Sequence, residues 1–198
     1  MRTKALIFGL LLAASTHAQL LYHDASAFPL LGKATDATLT RYERLPASLE
    51  SVSRKPLWDL GRNSAGLALR FRSNSMDPEE REYLLYLSLY DGVTSLAIGV
   101  DSLSTLDQPT VDLPVREKPV VFYGTSILQG GCASRPGMAH TNILERWLNR
   151  ECINLGFSGN ALLDLEIAEL IATVDASMFV LDFLPNATVE QMKERAEK

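Results

Sequence analysis

The spacing of hydrophobic residues changes near residue 115, which divides the chain into two halves. In residues 66–72, Leu67, Leu69 and Phe71 alternate with less apolar positions, the period of a half-buried strand. Residues 83–90 are almost wholly apolar or aromatic, and the Asp91-Gly92 pair predicts a hairpin turn into residues 93–100. No helix with convincing caps is expected before residue 115. The first half is therefore interpreted as a small antiparallel β-module.

After a proline-marked linker, the second half alternates short apolar runs with helical patterns. Strands are predicted at 120–123, 152–155 and 178–183, and helices at about 136–149, at about 162–173 and from about Thr188. In the first of these helices Ile143, Leu144, Trp147 and Leu148 are expected on one side. Apolar strands alternating with helices are typical of βαβ units, whose parallel sheet is covered on both faces. The sequence thus predicts a β-module at 19–115 followed by part of an α/β domain at 116–198.

The first 18 residues have the pattern of a cleavable secretory signal. Arg2 and Lys4 precede an apolar run at 5–14, and small residues follow around Ala18. This run is too short and wrongly flanked for a membrane span. We therefore expect a secreted or periplasmic protein without a transmembrane segment.

Composition and charge exclude several classes of partner. The 198 residues are 46% hydrophobic and 22% charged, which is ordinary for a globular protein. A formal charge of −5 with scattered basic residues argues against nucleic-acid binding. Cys132 and Cys152 are expected at opposite edges of the sheet, too far apart for a disulfide, and so as free thiols. Neither cysteine has metal-ligand neighbours at useful spacing, and no metal or organic cofactor is expected.

Three predicted strands of the second half end in polar or glycine residues. The segments are Gly-Thr-Ser at 124–126, Asn-Leu-Gly-Phe-Ser-Gly-Asn at 154–160, and Leu-Pro-Asn at 184–186. Ligands of an open parallel sheet bind outside the carboxyl ends of its strands, so these three segments are expected to converge. A serine, a glycine in a tight loop and a side-chain amide are the groups that stabilise a tetrahedral oxyanion. Ser126 would attack, while its own amide, the Gly159 amide and the Asn186 side chain would donate to the developing charge.

These segments resemble the conserved blocks of the SGNH (GDSL-like) hydrolases, in particular secreted members with an N-terminal β-module. Residues 123–130 resemble the first block, 154–160 the second and 182–186 the third. The resemblance implies a partial flavodoxin-like three-layer α/β fold. It also implies that Ser126 is the catalytic nucleophile, with Gly159 and Asn186 as oxyanion donors. The family's Asp-x-x-His block, which supplies the general base, has no counterpart in the sequence. We therefore expect a chain truncated before that block, with negligible turnover.

Each candidate also has a plainer interpretation that the sequence leaves open. Ser126 could be an ordinary turn serine, Gly159 could serve a positive-φ turn, and Asn186 could cap the helix that begins near Thr188. His140 is the one histidine of the second half and is a weak candidate for a substitute base. The carboxylates expected to face solvent on the helix at 162–173 are Asp164, Glu166 and Glu169.

The preferred interpretation is a serine esterase that removes an acyl group, such as acetyl, from a carbohydrate or a similar small-molecule ester. The alternative is a non-catalytic carbohydrate-binding or cell-surface interaction protein that retains a catalytically inactive hydrolase pocket. A third possibility is a fragment without a stable fold, because a half-finished parallel sheet exposes an unpaired edge. The sequence leaves the acyl group, the sugar and the oligomeric state open.

Overall fold

The computed structural model describes residues 19–75, 79–110 and 118–196. The predicted secretory signal at 1–18 lies outside the described residues, as does part of the proline-marked linker at 111–117. Within the described ranges, no helix combines the length and the apolar character needed to cross a bilayer.

The first half contains two small antiparallel sheets. One pairs β1 (Leu20–Asp24) with β5 (Ala97–Asp101). The other is built on β3 (Ala68–Ser73), which pairs with β2 (Leu30–Leu31), β4 (Arg81–Tyr86) and β6 (Leu106–Asp107). The predicted antiparallel architecture is therefore confirmed.

The predicted hairpin at Asp91-Gly92 is wrong. Strand β4 ends at Tyr86, and β5 pairs with the distant β1 instead, Val100 lying opposite Leu21. The chain between β4 and β5 is held by Ser64, whose backbone N–H donates to Asp91 O at 3.2 Å. The Ser64 hydroxyl also accepts from Val93 N at 3.2 Å. Because Ser64 holds the chain at 91–93, the two apolar runs that are neighbours in the sequence do not pair with each other in a sheet.

The first half also contains a helix that was not predicted from the sequence, although it has no convincing cap. Helix α1 spans Lys55–Gly61 and buries Leu57, Trp58 and Gly61. Its N-cap, Arg54, makes no side-chain capping hydrogen bond, and Pro56 occupies the first turn. The sequence signal was weak because the helix is short and has no polar cap.

The second half forms the predicted parallel sheet. Its strands are β7 (Val120–Gly124), β8 (Cys152–Gly156) and β9 (Met178–Asp182), in the spatial order β8-β7-β9. The helices are α2 (Ser126–Gln129), α3 (His140–Leu148), α4 (Leu165–Ala172) and α5 (Val189–Arg195). This alternation confirms the α/β prediction for residues beyond the linker.

Two predicted helices are shorter than their apolar patterns suggest. Ala139 has an extended ψ of 138°, so the pattern at 136–149 divides into a 3-10 turn and α3. Leu163 has a φ of 57°, a left-handed conformation that keeps the pattern at 162–173 from becoming helical before Leu165. In both cases local backbone geometry, which periodicity does not report, sets the start of the helix.

One hydrophobic core spans both halves of the chain. Leu45, Leu57 and Trp58 from the first half pack in the same buried cluster as Val121 and Leu155 of the parallel sheet. All five residues of β7 and all five of β8 are buried. The change of pattern near residue 115 therefore does not separate two independent cores.

Coverage on both faces was predicted for the whole sheet, but it does not extend to β9. Met178, Phe179 and Leu181 are about half exposed, and β7 is the only strand that pairs with β9 within the described residues. Phe179 and Leu181 line a largely apolar groove of about 460 Å³ together with α4. This edge differs sharply from the buried β8 edge.

The predicted apolar side of α3 is also wrong for its last turn. Trp147 is 80% exposed and Leu148 is 45% exposed, while Thr141, Asn142 and Glu145 are buried. Hydrogen bonds make this burial possible: Asn142 Nδ2 donates to Pro136 O, and Tyr86 Oη donates to Asn142 O. A polar helix face can pack inward when its groups find partners.

Both cysteines are free, as predicted. Cys132 is exposed in the loop after α2, and Cys152 is buried at the start of β8. Burial raises the pKa of the Cys152 thiol to about 12, so it stays protonated at neutral pH.

Candidate active site

The carboxyl ends of the three parallel strands lie side by side. Gly124 of β7 is paired in register with Gly156 of β8 on one side and with Asp182 of β9 on the other. Neighbouring strands are spaced by about 4.8 Å, so the segments that follow these residues start from one rim. The three predicted segments therefore begin at a single edge of the sheet, as expected.

Ser126 is the first residue of α2 and immediately follows the turn out of β7. Thr125 before it is buried with extended backbone, while Ser126 itself is partly exposed. The Ser126 carbonyl accepts hydrogen bonds from Gly131 N at 2.8 Å and from the Tyr90 hydroxyl at 2.9 Å. The start of the short helix is thus fixed by its own C-terminal turn and by a side chain from the first half.

Gln129, the last residue of α2, is a buried connector that sequence reasoning missed. Its side chain is 0% exposed and donates from Nε2 to Asn63 Oδ1 at 3.1 Å and to Leu89 O at 3.0 Å. Its Oε1 accepts from Ser158 N at 2.9 Å. One amide therefore links the serine helix, the loop after β8 and the first half of the chain. A glutamine at the inward position of a four-residue helix was the only available signal.

The loop at 157–160, which carries Gly159, is tied to the strand before Ser126. Phe157 N donates to Gly124 O at 2.8 Å, and Asn160 N closes the turn onto Phe157 O at 2.9 Å. Gly159 has a φ of 66°, and a Cβ built on it would meet no atom within 4 Å. Its positive φ agrees with the plain turn interpretation, while the open space around it leaves room for a ligand. Its role as an oxyanion donor stays a prediction.

Asn186 lies in the turn after β9 and does not cap the following helix. Thr188 is the N-cap of α5 and forms a capping box with Gln191, so the capping interpretation of Asn186 is wrong. Asn186 N donates to Phe183 O at 2.9 Å, and its side-chain Oδ1 is buried with no hydrogen-bond partner among the described residues. An oxyanion donor would have to use Nδ2 rather than this oxygen, so the role of Asn186 stays a prediction.

His140, the weak candidate base, lies at the start of α3. Its ring is edge-on to Phe122 at 6.4 Å, and burial lowers its pKa while the Asp182 carboxylate acts to raise it. No hydrogen bond joins His140 to Ser126 in the described residues. Nor do those residues bring together three or more His, Cys, Asp or Glu side chains in a way that suits a metal ion.

Asp164 does not face solvent as predicted. It is 6% exposed and forms a bidentate ion pair with Arg54, with both oxygens at 2.8 Å, and a longer contact with Arg195 at 3.5 Å. Arg54 also donates to Asn160 O and Oδ1 at 3.1 and 3.0 Å. The ion pair raises the pKa of Arg54. Asp164 is therefore a structural anchor beside the Gly159 loop, whereas Glu169 is exposed as predicted.

Comparison with known families assigns both halves of the chain. Residues 117–198 match the GDSL-like lipase/acylhydrolase family, and residues 20–77 match the N-terminal region of SGNH-hydrolase-type esterases. None of the curated proteins matches the sequence significantly.

Solved structures also resemble the chain, including the following two. A Bacteroides ovatus ATCC 8483 protein assigned as a GDSL-like lipase superposes with a TM-score of 0.84 at 31% identity, over 90% of this chain and 68% of that one. The salicylyl-acyltransferase SsfX3 from a tetracycline biosynthetic pathway has a TM-score of 0.59 at 17% identity, over 85% of this chain and 62% of that one. At such low identity the second likeness shows the fold alone.

Proposed function

Because the chain belongs to the GDSL-like (SGNH) lipase and acylhydrolase family, we propose that it is a serine-dependent acyl hydrolase with Ser126 as nucleophile. The observation that carries this proposal is the register at the sheet edge, where Gly124, Gly156 and Asp182 end side by side. The proposed chemistry needs a hydroxyl and several hydrogen-bond donors at one rim, and these strand ends lead into the segments that contain them.

In the proposed reaction, Ser126 Oγ attacks the ester carbonyl carbon and its proton passes to a base. The carbonyl oxygen becomes an oxyanion, held by the backbone N–H groups of Ser126 and Gly159 and by the Asn186 side-chain amide. Collapse of this intermediate expels the alcohol and leaves an acyl-serine, which water then hydrolyses. We assign no base, because His140 makes no hydrogen bond to Ser126.

The proposed substrates are acetylated carbohydrates or similar small esters. A cavity of about 250 Å³ lies against the serine helix and is lined in part by Ile127, Gly130, Met138 and His140. We propose that it receives the short acyl group. The resemblance to the secreted subgroup and the signal pattern at 1–18 support a secreted or periplasmic location. No long apolar helix in the described residues argues for a membrane span.

Ester hydrolysis that depends on Ser126 tests the proposal. With p-nitrophenyl acetate, the wild-type chain should exceed the background of Ser126→Ala, and added imidazole should enlarge the difference by acting as an external base. Ser134→Ala, which removes an exposed serine of the neighbouring loop, should behave as wild type. Equal rates for wild type and Ser126→Ala at every imidazole concentration would refute the proposal.

The competing proposal is a carbohydrate-binding protein without catalysis. The observation that favours it is the lack of a hydrogen-bonded base at Ser126 among the described residues. Losing a triad member typically lowers the catalytic rate by several orders of magnitude, whereas substrate binding can be retained. Retention of the chain on acetylated xylan, without acetate release and without an effect of imidazole, would decide for this alternative.

A further inference from the structure

Arg44, from the first half of the chain, is buried beneath the loop that carries Gly159. The residue is 1% exposed. Its Nη1 donates to Asn154 O at 3.0 Å and to Gly156 O at 2.8 Å, both in the last part of β8. Its Nε and Nη2 donate to Asn63 O at 2.9 Å and Leu60 O at 2.6 Å, at the end of α1. Four of the five guanidinium N–H groups thus donate hydrogen bonds to backbone carbonyls.

The two β8 carbonyls belong to the edge that faces away from β7. Val120 N donates to Glu151 O and Phe157 N donates to Gly124 O, which fixes the side of β8 that bonds to β7. Successive carbonyls point to opposite sides of a strand, so those of Asn154 and Gly156 point outward. Without Arg44 these two carbonyl oxygens would lie at a buried edge of the sheet without a hydrogen-bond donor.

Arg44 also contacts the first residue of the loop. Its Cζ lies 4.9 Å from the centre of the Phe157 ring, over the face of a side chain that is 0% exposed. The guanidinium therefore holds the end of β8 and the start of the loop at once. Because burial lowers the pKa of Arg44 to about 9, retaining this cation without a carboxylate hydrogen-bond partner in the described residues is costly. Such a cost suits a geometric task better than simple stabilisation.

We propose that Arg44 is a positioning residue that sets the backbone orientation of the loop at 157–160, and through it the Gly159 amide. The inference rests on the proposed function for the role of that amide. The first half of the chain would then contribute to the geometry of the acyl-transfer site as well as to the fold. Misplacing a catalytic donor by about 1 Å costs about a hundredfold in rate.

Hydrogen exchange in the full chain tests the positioning directly. In Arg44→Met, the amides of Phe157, Ser158 and Asn160 should exchange at least about tenfold faster, while those of Val121 and Phe122 in β7 should change little. Arg62→Met is the matched control, because Arg62 pairs with Glu43 within the first half and should leave the loop unchanged. Where Arg44→Met fails to fold, Arg44→Lys retains the charge with fewer donors and should give a smaller, equally local effect.

Kinetics provide the second readout. Ser126-dependent hydrolysis by Arg44→Met should lose about a hundredfold in kcat with KM nearly unchanged, and Arg44→Lys should recover part of the loss. Uniformly faster exchange across β7 and the loop, or no local change, would overturn the inference. If the wild type shows no Ser126-dependent hydrolysis, the proposed function fails, whereas the exchange data still decide whether Arg44 holds the loop.

Discussion

Buried polar side chains, rather than the apolar core alone, determine where Ser126 lies. The Gln129 side chain donates hydrogen bonds to Asn63 and Leu89 and accepts one from the backbone N–H of Ser158. Each of these bonds crosses between segments that are distant in sequence. A shape-matched apolar side chain could fill the space, but it would leave its former partners unpaired.

Replacing Gln129 with leucine should therefore destabilise the protein. Loss of the amide leaves Leu89 O, Asn63 Oδ1 and Ser158 N without their bonds, and we expect the free energy of unfolding to fall by about 3 kcal/mol. Urea unfolding followed by circular dichroism measures the change. Gln108→Leu, at an exposed glutamine that donates to Ala27 O, should cost less than about 1 kcal/mol. Equal losses in the two variants would show that Gln129 is not a special connector.

At the scale of elements, the accuracy of sequence-based prediction depended on how each element is buried. Strands β7 and β8 lie wholly in the interior, so the apolar run at 120–123 and the mainly apolar segment at 152–155 located them within one residue. Helix α1 was missed because it is seven residues long and lacks a polar cap. Periodicity identified where strands lie, whereas tertiary hydrogen bonds such as those of Ser64 decided which strands pair.

Helix α3 shows why its inward side could not be predicted. It buries Glu145, which lies near Glu151 and has one carboxylate oxygen without a hydrogen-bond partner in the described part of the chain. Burial, and then the Glu151 charge, raises the pKa of Glu145 to about 8, while Arg146, Arg70 and Tyr86 act to lower it. Burial also raises the pKa of Glu151. No apolar periodicity marks such a face.

The packing of α3 should make stability depend on pH. The folded state holds a proton on Glu145 that the unfolded chain releases near the ordinary pKa of 4.5, so the free energy of unfolding should fall between about pH 5 and pH 8. Glu145→Gln should reduce this slope, although Glu151 preserves part of it. Urea titrations at several pH values measure the slope, with the exposed Glu169→Gln as control. An unchanged slope in Glu145→Gln would contradict the assignment.

At the scale of the whole molecule, the two halves share a buried hydrophobic cluster. Trp58 on α1 packs with Val121 and Leu155 of the parallel sheet. Arg44 donates to the end of β8, and Arg54 donates to the loop after it. The hydrophobic pattern changes at the linker because the antiparallel sheets give way there to a parallel sheet, within one packed unit. The predicted boundary near residue 115 says nothing about whether either half is stable by itself.

The shared core predicts one cooperative unfolding transition and a long-range effect of Trp58. Trp58→Ala should cost about 4 kcal/mol and reduce hydrogen-exchange protection in β7, because it leaves a cavity against the sheet. Trp147 offers a matched control: it is 80% exposed, so Trp147→Ala should cost less than about 1 kcal/mol. Two separate calorimetric transitions, or unchanged protection of β7 in Trp58→Ala, would contradict a shared core.

The candidate site was predictable in part for the same reason as the sheet. The three segments with Ser126, Gly159 and Asn186 follow apolar strands, and parallel strands end at a common edge, so their convergence could be inferred without coordinates. Arg44, Arg54 and Gln129 could not be found in this way, because their hydrogen-bond partners lie from 16 to 112 residues away along the chain. Hydrogen bonds between residues that are distant along the chain leave no local pattern in the sequence.

The most direct test of the account is where a serine-directed phosphonate ester reacts with the wild-type chain in the presence of imidazole. Phosphonates carry the charge of an acyl-transfer intermediate, so hydrogen-bond donors at the rim should favour one hydroxyl over all others. Peptide mass spectrometry should find the adduct on Ser126, at least about tenfold above Ser134 and Ser158, and none at that position in Ser126→Ala. Adducts spread evenly over these serines would contradict the claim that Ser126 faces an oxyanion site.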